Sequence, residues 1–416
     1  MMKWYDKLQY GAMLLMAAAV PQGWHYGLWA AGLLACATAV KIVAQRKVGN
    51  PVLTAPLRWA MAGAIVYWVM LAVSMLWSHD LATGGEVLLL KAVLLIFPAC
   101  FLLSDTSFLT QKHISGLGYA LLITVCGAFI YFFVRAGIGM LQGVEFETFK
   151  NSFYTHESSA IYHHAYIALY AVIAMLFVYH EFSSRWKELK VWHRILLIVS
   201  LPVMICYVVF VNSRAGLLSM GLMAVACVVH LTVTRRNWKI GLGIGTSLVV
   251  TIVAAMLLMP GYVDRLASTV EHAEDDTRTF ITISNIHAFT QSPIVGYGVG
   301  DYHAQQIQQY GADDFESGVT YGFNSHNQYM ESLVAVGVFG LLALLYFLLA
   351  PLSVACCRRS RFLFPLTVVT GIVMFNMLFE SMFERQMGLL FIGYLYSVMI
   401  LILSVEEKIF AQSSKS

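Results

Sequence analysis

The chain has 416 residues, 59% of them hydrophobic and only 12% charged, with a formal net charge of +3. A soluble protein of this length carries about twice that charged fraction, so a soluble globular fold is excluded. The apolar residues fall in blocks near the roughly 20 residues that cross a bilayer as a helix, not in the short alternating segments of a β-barrel.

The sequence predicts an all-α polytopic membrane protein, a single integral domain over 1–416. Twelve spans are expected, at about 8–22, 24–44, 59–77, 87–103, 115–136, 160–181, 195–212, 216–234, 240–259, 327–351, 362–380 and 389–405. The first apolar run has no clear small-residue cleavage site and leads into another span, so it reads as membrane helix rather than signal peptide. With the N-terminus inside, 19 of the 26 Lys and Arg fall in inside segments, as the positive-inside rule requires. Both termini are then cytoplasmic. The remaining seven are Lys91, Arg135, Lys150, Arg214, Arg265, Arg278 and Arg385. Each is expected at the outer face or within a span, where a cation needs a partner.

Two outer segments are long, 137–159 and 260–325, and the second is expected to be functional. It holds nine Asp or Glu against two Arg. Helices are expected within it at about 262–273 and 277–290, with Asp275, Asp276 and Thr277 as candidate N-caps of the second. In that second helix Phe280, Ile283, Ile286 and His287 fall on one face, suited to lie along a membrane surface. There is no internal repeat, and the tail "AQSSKS" is expected to be disordered. The seven cysteines lie in or beside spans, without disulfide or zinc spacing. Cys356 and Cys357 are membrane-edge residues or a palmitoylation site.

The span at 327–351 opens with "NSHNQYMESLVAVGVFG". Ser325 and Gln328 fit a capping box, which makes Ser325 the N-cap and His326 the first helical residue. The helix dipole then favours neutral imidazole, the form a general base needs near pH 7. Gly337 lies about three turns further on, and with Gly340 it is expected to let a neighbouring helix approach. An interfacial capping histidine is the alternative.

Arg214, in "NSRAG", is expected at the outer end of a span, with Ala215 and Gly216 leaving room beside it. It suits bidentate phosphate binding, or pairing with an acid such as Glu380. Arg278 has local acids in Asp275 and Asp276, and Arg265 has Asp264. Glu380, Glu384 and Arg385 form a charged cluster read as structural. "GYGVGD" at 296–301 lacks the strand–turn–helix setting of a nucleotide loop and reads as a flexible turn under the site. His156, His163 and His164, and the acids Asp313, Asp314 and Glu316, lack a recognisable metal-ligand pattern. Polar residues gather at the outer face, and among them only Lys91 lies within a span. That favours surface chemistry over transport, since transporters use broken helices and midplane polar groups.

The pattern His326-Asn327, nine residues, Gly337, two residues, Gly340 resembles the motif of bacterial O-antigen ligases. So does the order of an "SRAG" arginine, a large outer loop with an arginine, a "GYGVG" turn and then the histidine. The similarity covers about 214–385 and extends to the wider superfamily of O-antigen polymerases and O-linked oligosaccharyltransferases. It implies a GT-C-like glycosyltransferase at the periplasmic face of the bacterial inner membrane. Its donor would be a glycan on undecaprenyl diphosphate, and its acceptor a sugar hydroxyl of lipid A-core. It also implies His326 as base, with Arg214, Arg278 and Arg265 on the diphosphate and Asn327, Tyr329 and Glu380 in support. Inversion without a metal or cofactor is expected, and no nucleic-acid partner. An O-antigen polymerase is the nearest alternative, and a lipid-linked glycan flippase is the alternative of another class.

Overall fold

The computed structural model describes residues 2–143, 164–211, 213–235 and 277–413. Among the described residues there are fifteen α-helices and no strand. They are α1 (Trp4–Ala19), α2 (Trp24–Gln45), α3 (Ala55–Ser74), α4 (Leu81–Leu90), α5 (Val93–Leu103), α6 (Gln111–Leu141), α7 (His164–Arg185), α8 (Val191–Phe210) and α9 (Arg214–Arg235). The rest are α10 (Thr277–Gln291), α11 (Tyr302–Ala312), α12 (Glu316–Tyr321), α13 (Gln328–Cys357), α14 (Leu363–Asn376) and α15 (Gln386–Ser413).

Helix is what long apolar runs must form where no water satisfies the backbone. Eight of these helices are long and apolar enough to cross a membrane, and the bent pair α4–α5 makes a ninth. Helix α1, with 16 residues, and α14, with 14, are shorter than the expected first and eleventh spans. The expected span at 240–259 and helix at 262–273 lie outside the described residues, as do Lys150, His156, His163, Arg265, Asp275 and Asp276. Eleven of the twelve expected spans thus coincide with described helices. The outer segment also holds α11 and α12, which the sequence reading did not specify.

Helices α7 and α15 form the centre, buried almost all round. Basic side chains gather at one end of the bundle. There Lys41 meets Asp6 at 2.8 Å, Arg358 pairs with Glu407, and an Arg358 nitrogen donates to Thr54 Oγ1 at 2.9 Å. Helix α13 runs from the opposite end, where α10 and α11 pack against it.

Helix α13 is broken. Gly337 has φ 67° and ψ −157°, a conformation open mainly to glycine. The break frees carbonyls one turn earlier, and the 293–301 segment takes them up. Tyr297 N donates to Val334 O at 3.0 Å and Gly298 N to Ala335 O at 2.9 Å, while Val338 N donates to Pro293 O at 3.0 Å. The other side of this strap is bonded to the end of α3 and the turn into α4. Val299 N donates to Ser74 Oγ at 2.9 Å, and Gly300 N to Ser78 Oγ at 3.1 Å. Asp301 accepts from His79 N at 2.6 Å and Asp80 N at 3.0 Å.

"GYGVGD" is therefore a hydrogen-bonded strap rather than a flexible turn. Its glycines exist because backbone meets backbone. The two motif glycines are explained in the same way. A Cβ on Gly337 would lie 2.2 Å from Ile294 O, so what approaches it is loop backbone, not the neighbouring helix the sequence suggested. Gly340 faces Ser332 O of its own helix at 2.7 Å.

A Gly337→Ala change is expected to cost about 1–3 kcal/mol from φ alone, plus displacement of the strap. Thermal unfolding in detergent checks this, and Gly32→Ala, where nothing lies within 4 Å, is the control expected to stay near wild type.

Candidate active site

The start of α13 differs from the capping-box expectation. Asn327 is the N-cap, its side chain accepting from Tyr329 N at 2.9 Å and Met330 N at 3.1 Å. Ser325 cannot cap because its hydroxyl is committed elsewhere. It donates to Asn285 Oδ1 at 3.1 Å and accepts from Gln306 Nε2 at 2.6 Å. His326 thus precedes the helix. Its φ is +43°, unusual for a side chain of this size, and its N–H donates to Asn324 Oδ1 at 3.1 Å. Strained backbone of this kind persists only where surroundings over-determine it.

Those surroundings are the 377–385 segment between α14 and α15. Gln328 N donates to Met377 O at 2.9 Å, and Gln328 Oε1 accepts from Phe383 N at 2.6 Å. This docking brings Glu380, 5% exposed, to His326, with Oε2 3.7 Å from Nδ1. The imidazole is about one-third exposed, while its Nδ1 is buried. Nε2 is then the nitrogen available to a hydroxyl. His164, at the start of α7, lies within electrostatic reach of Glu380, Arg278 and Arg385. Arg278 and Arg385 are exposed. Two histidines, a carboxylate and two guanidiniums from four separate stretches of sequence therefore gather at one end of the bundle.

Arg214 opens α9 at that same end. Ser219, five residues along α9, accepts from Asn376 Nδ2 at 2.8 Å. Asn376 adjoins the Met377 carbonyl that receives Gln328. At 1.5 Å per residue, Arg214 stands about 7.5 Å further out than Ser219. The room expected beside it at Gly216 is filled, since a Cβ there would lie 2.3 Å from the Ala168 Cβ of α7. Tyr329 turns away from the histidine and donates to Met374 O at 2.8 Å. Arg265 lies outside the described residues. Among the described residues, no three His, Cys, Asp or Glu are grouped to hold a metal.

Beneath the histidine lies a buried ion cluster that sequence reasoning only half found. Lys91, at the bend between α4 and α5 and 1% exposed, is 3.2 Å from Glu331 of α13 and 3.1 Å from Glu384 of the docked segment. Tyr302, first residue of α11, donates to Glu384 at 2.7 Å. Gln328 Nε2 donates to Glu331 at 3.2 Å. Burial acts to raise the Glu384 carboxyl, but Lys91, Glu331 and Tyr302 outweigh it and hold it below the ordinary carboxylate range. The sequence signal for Lys91 was its exception to the topology. The signal for Glu331 was equally visible, a lone acid inside an apolar run.

Residues 199–345 match a family model described as O-Antigen ligase. That stretch is similar to the O-antigen ligase family. No curated protein matches the chain. The matched stretch contains Arg214, Arg278, His326, Gly337 and Gly340. It does not contain Lys91, Glu380 or Glu384, on which the placement of His326 depends.

A Lys91→Met change leaves two buried carboxylates without their cation and is expected to destabilise by about 3–5 kcal/mol. The triple change to Lys91→Met, Glu331→Gln and Glu384→Gln is expected to recover part of that loss. Unfolding in detergent measures both.

Proposed function

We propose that this protein transfers an O-antigen glycan from undecaprenyl diphosphate to a sugar hydroxyl of lipid A-core, at the periplasmic face of the inner membrane. The observation that carries the proposal is the pairing of His326 with Glu380, with that carboxylate and Arg278 both within electrostatic reach of His164.

His326 accepts the proton of the attacking hydroxyl at Nε2. Glu380, facing Nδ1, favours the tautomer with its proton on Nδ1 and stabilises the imidazolium that forms. The 3.7 Å separation is loose for a hydrogen bond, as such contacts often are without substrate. The hydroxyl oxygen forms a bond to the anomeric carbon as the carbon–oxygen bond to the diphosphate breaks, inverting that centre. Charge develops on the leaving diphosphate. Arg278 and Arg214 would meet it with the fork of donors suited to phosphate oxygens. Arg265 belongs to the same proposed set. Two guanidiniums can supply this charge, so the mechanism invokes no metal.

The orientation in the proposal follows the basic end of the bundle, taken as cytoplasmic. That puts His326 on the periplasmic side, where a lipid-linked glycan and lipid A-core can both reach it. Transport remains the reading of another class. Two broken helices are present, as a transporter would have. Both breaks are filled, one by the 293–301 strap and one by the Lys91 cluster, which favours chemistry at the surface.

His326→Ala is expected to lower transfer by about 10²–10⁴-fold, the usual worth of a general base. Equal rates in the variant and wild type would remove His326 from the mechanism. Arg214→Ala and Arg278→Ala should weaken donor use while the fold persists, and activity should survive chelator. Reconstitution with undecaprenyl-linked glycan and two acceptors, lipid A-core and a second lipid-linked glycan, tests the assignment. Product on lipid A-core alone supports a ligase, and product on the second donor alone identifies a polymerase instead.

A further inference from the structure

The far end of the bundle holds a cavity of about 160 Å³, bounded by α1, α6, α7, α14 and α15. Its wall is almost wholly apolar, with Leu117, Leu121, Leu176, Leu366, Leu395 and Val398 among its lining. It is separate from the site at His326. Tyr166, Tyr170, Met387 and Phe391 are all buried between the two. Tyr170 donates to Met387 O at 2.9 Å and meets the Phe391 ring at 4.4 Å. These contacts separate the cavity from the histidine end among the described residues.

The cavity's outer limit is polar and built. Glu181, fully buried, accepts from Ser115 Oγ at 2.9 Å and from Arg185 at 3.1 Å. His180 lies tilted against Phe362 with ring centroids 5.1 Å apart, and the Arg361 guanidinium lies 5.1 Å from that same ring. Lys112 adjoins Gln111 of the lining and is exposed, and Arg361 is about half-exposed. Beyond this apolar lining lie exposed Lys112 and half-exposed Arg361, whose Nε is 3.6 Å from Glu406, while Arg185 is committed to Glu181 and Glu188. Apolar cavities of this size stay free of water and take apolar occupants, and basic rims attract phosphate.

We propose that this cleft binds one acyl chain of an anionic glycerophospholipid from the adjoining leaflet, with its phosphate at the Lys112–Arg361 rim. Bound there, the lipid joins α6 and α7 to α14 and α15, and it stabilises the folded state by mass action.

The test is native mass spectrometry of the full-length protein, delipidated and then titrated with phosphatidylglycerol in mild detergent, with thermal unfolding in parallel. The wild type is expected to take up one lipid and rise in Tm. Leu121→Trp and Leu395→Trp, which grow into the cleft from opposite walls, are expected to lose both responses. Lys112→Gln with Arg361→Gln should lower uptake of phosphatidylglycerol but not of a neutral diacylglycerol. Uptake and Tm rise unchanged in both tryptophan variants, or no uptake by wild type, would overturn the proposal. If one tryptophan variant fails to fold, the other and the rim variant decide. Glycan transfer by the folded variants is a separate readout, since the cleft does not reach His326.

Discussion

A single ammonium buried where two helices bend holds the His326 end of this protein together. Lys91 is unprotected by water, so it must be met by opposite charge. The charges come from α13 and from the segment between α14 and α15, and Tyr302 adds α11 through Glu384. Four parts of the chain distant in sequence are thereby fixed to one point. Such a cluster contributes little net stability against an apolar core, but removing one partner is costly. Its consequence here is geometric. Glu384 is anchored four residues beyond Glu380, and the same segment receives Gln328 from α13. His326 and Glu380 face each other because both backbones are tied to the same support.

The break at Gly337 belongs to the same design. A straight helix through 328–357 would offer no free carbonyls, and the strap would have no partner. With the break, the strap bonds to α13 on one side and to α3 and α4 on the other. The strap joins α10 to α11, so its seating also sets where α10 ends and where Tyr302 begins α11. Gly337 and the glycine-rich 293–301 strap are two halves of one joint.

Much of this was legible in the sequence. Apolar length alone located eleven described helices, because burying a backbone in lipid leaves few alternatives. Unexplained cations pointed to Lys91, Arg278 and Arg385, because charge is costly there. Local rules failed where long-range contacts competed. Ser325 has good capping chemistry but is taken by Asn285 and Gln306, so Asn327 caps instead. Gly337 was read for helix packing, and only the folded chain shows that a loop 40 residues earlier occupies it. The pairing of Glu380 with His326 depends on the seating of 377–385, which no spacing in the sequence encodes.

The account's central claim is that Glu380 acts through His326. A double-mutant cycle on glycan transfer tests it most directly, with Glu380→Ala, His326→Ala and the pair compared in folded protein. The account predicts that Glu380→Ala lowers the rate in the wild-type background and has no further effect once His326 is gone. Losses that simply multiply would show two independent roles and contradict it.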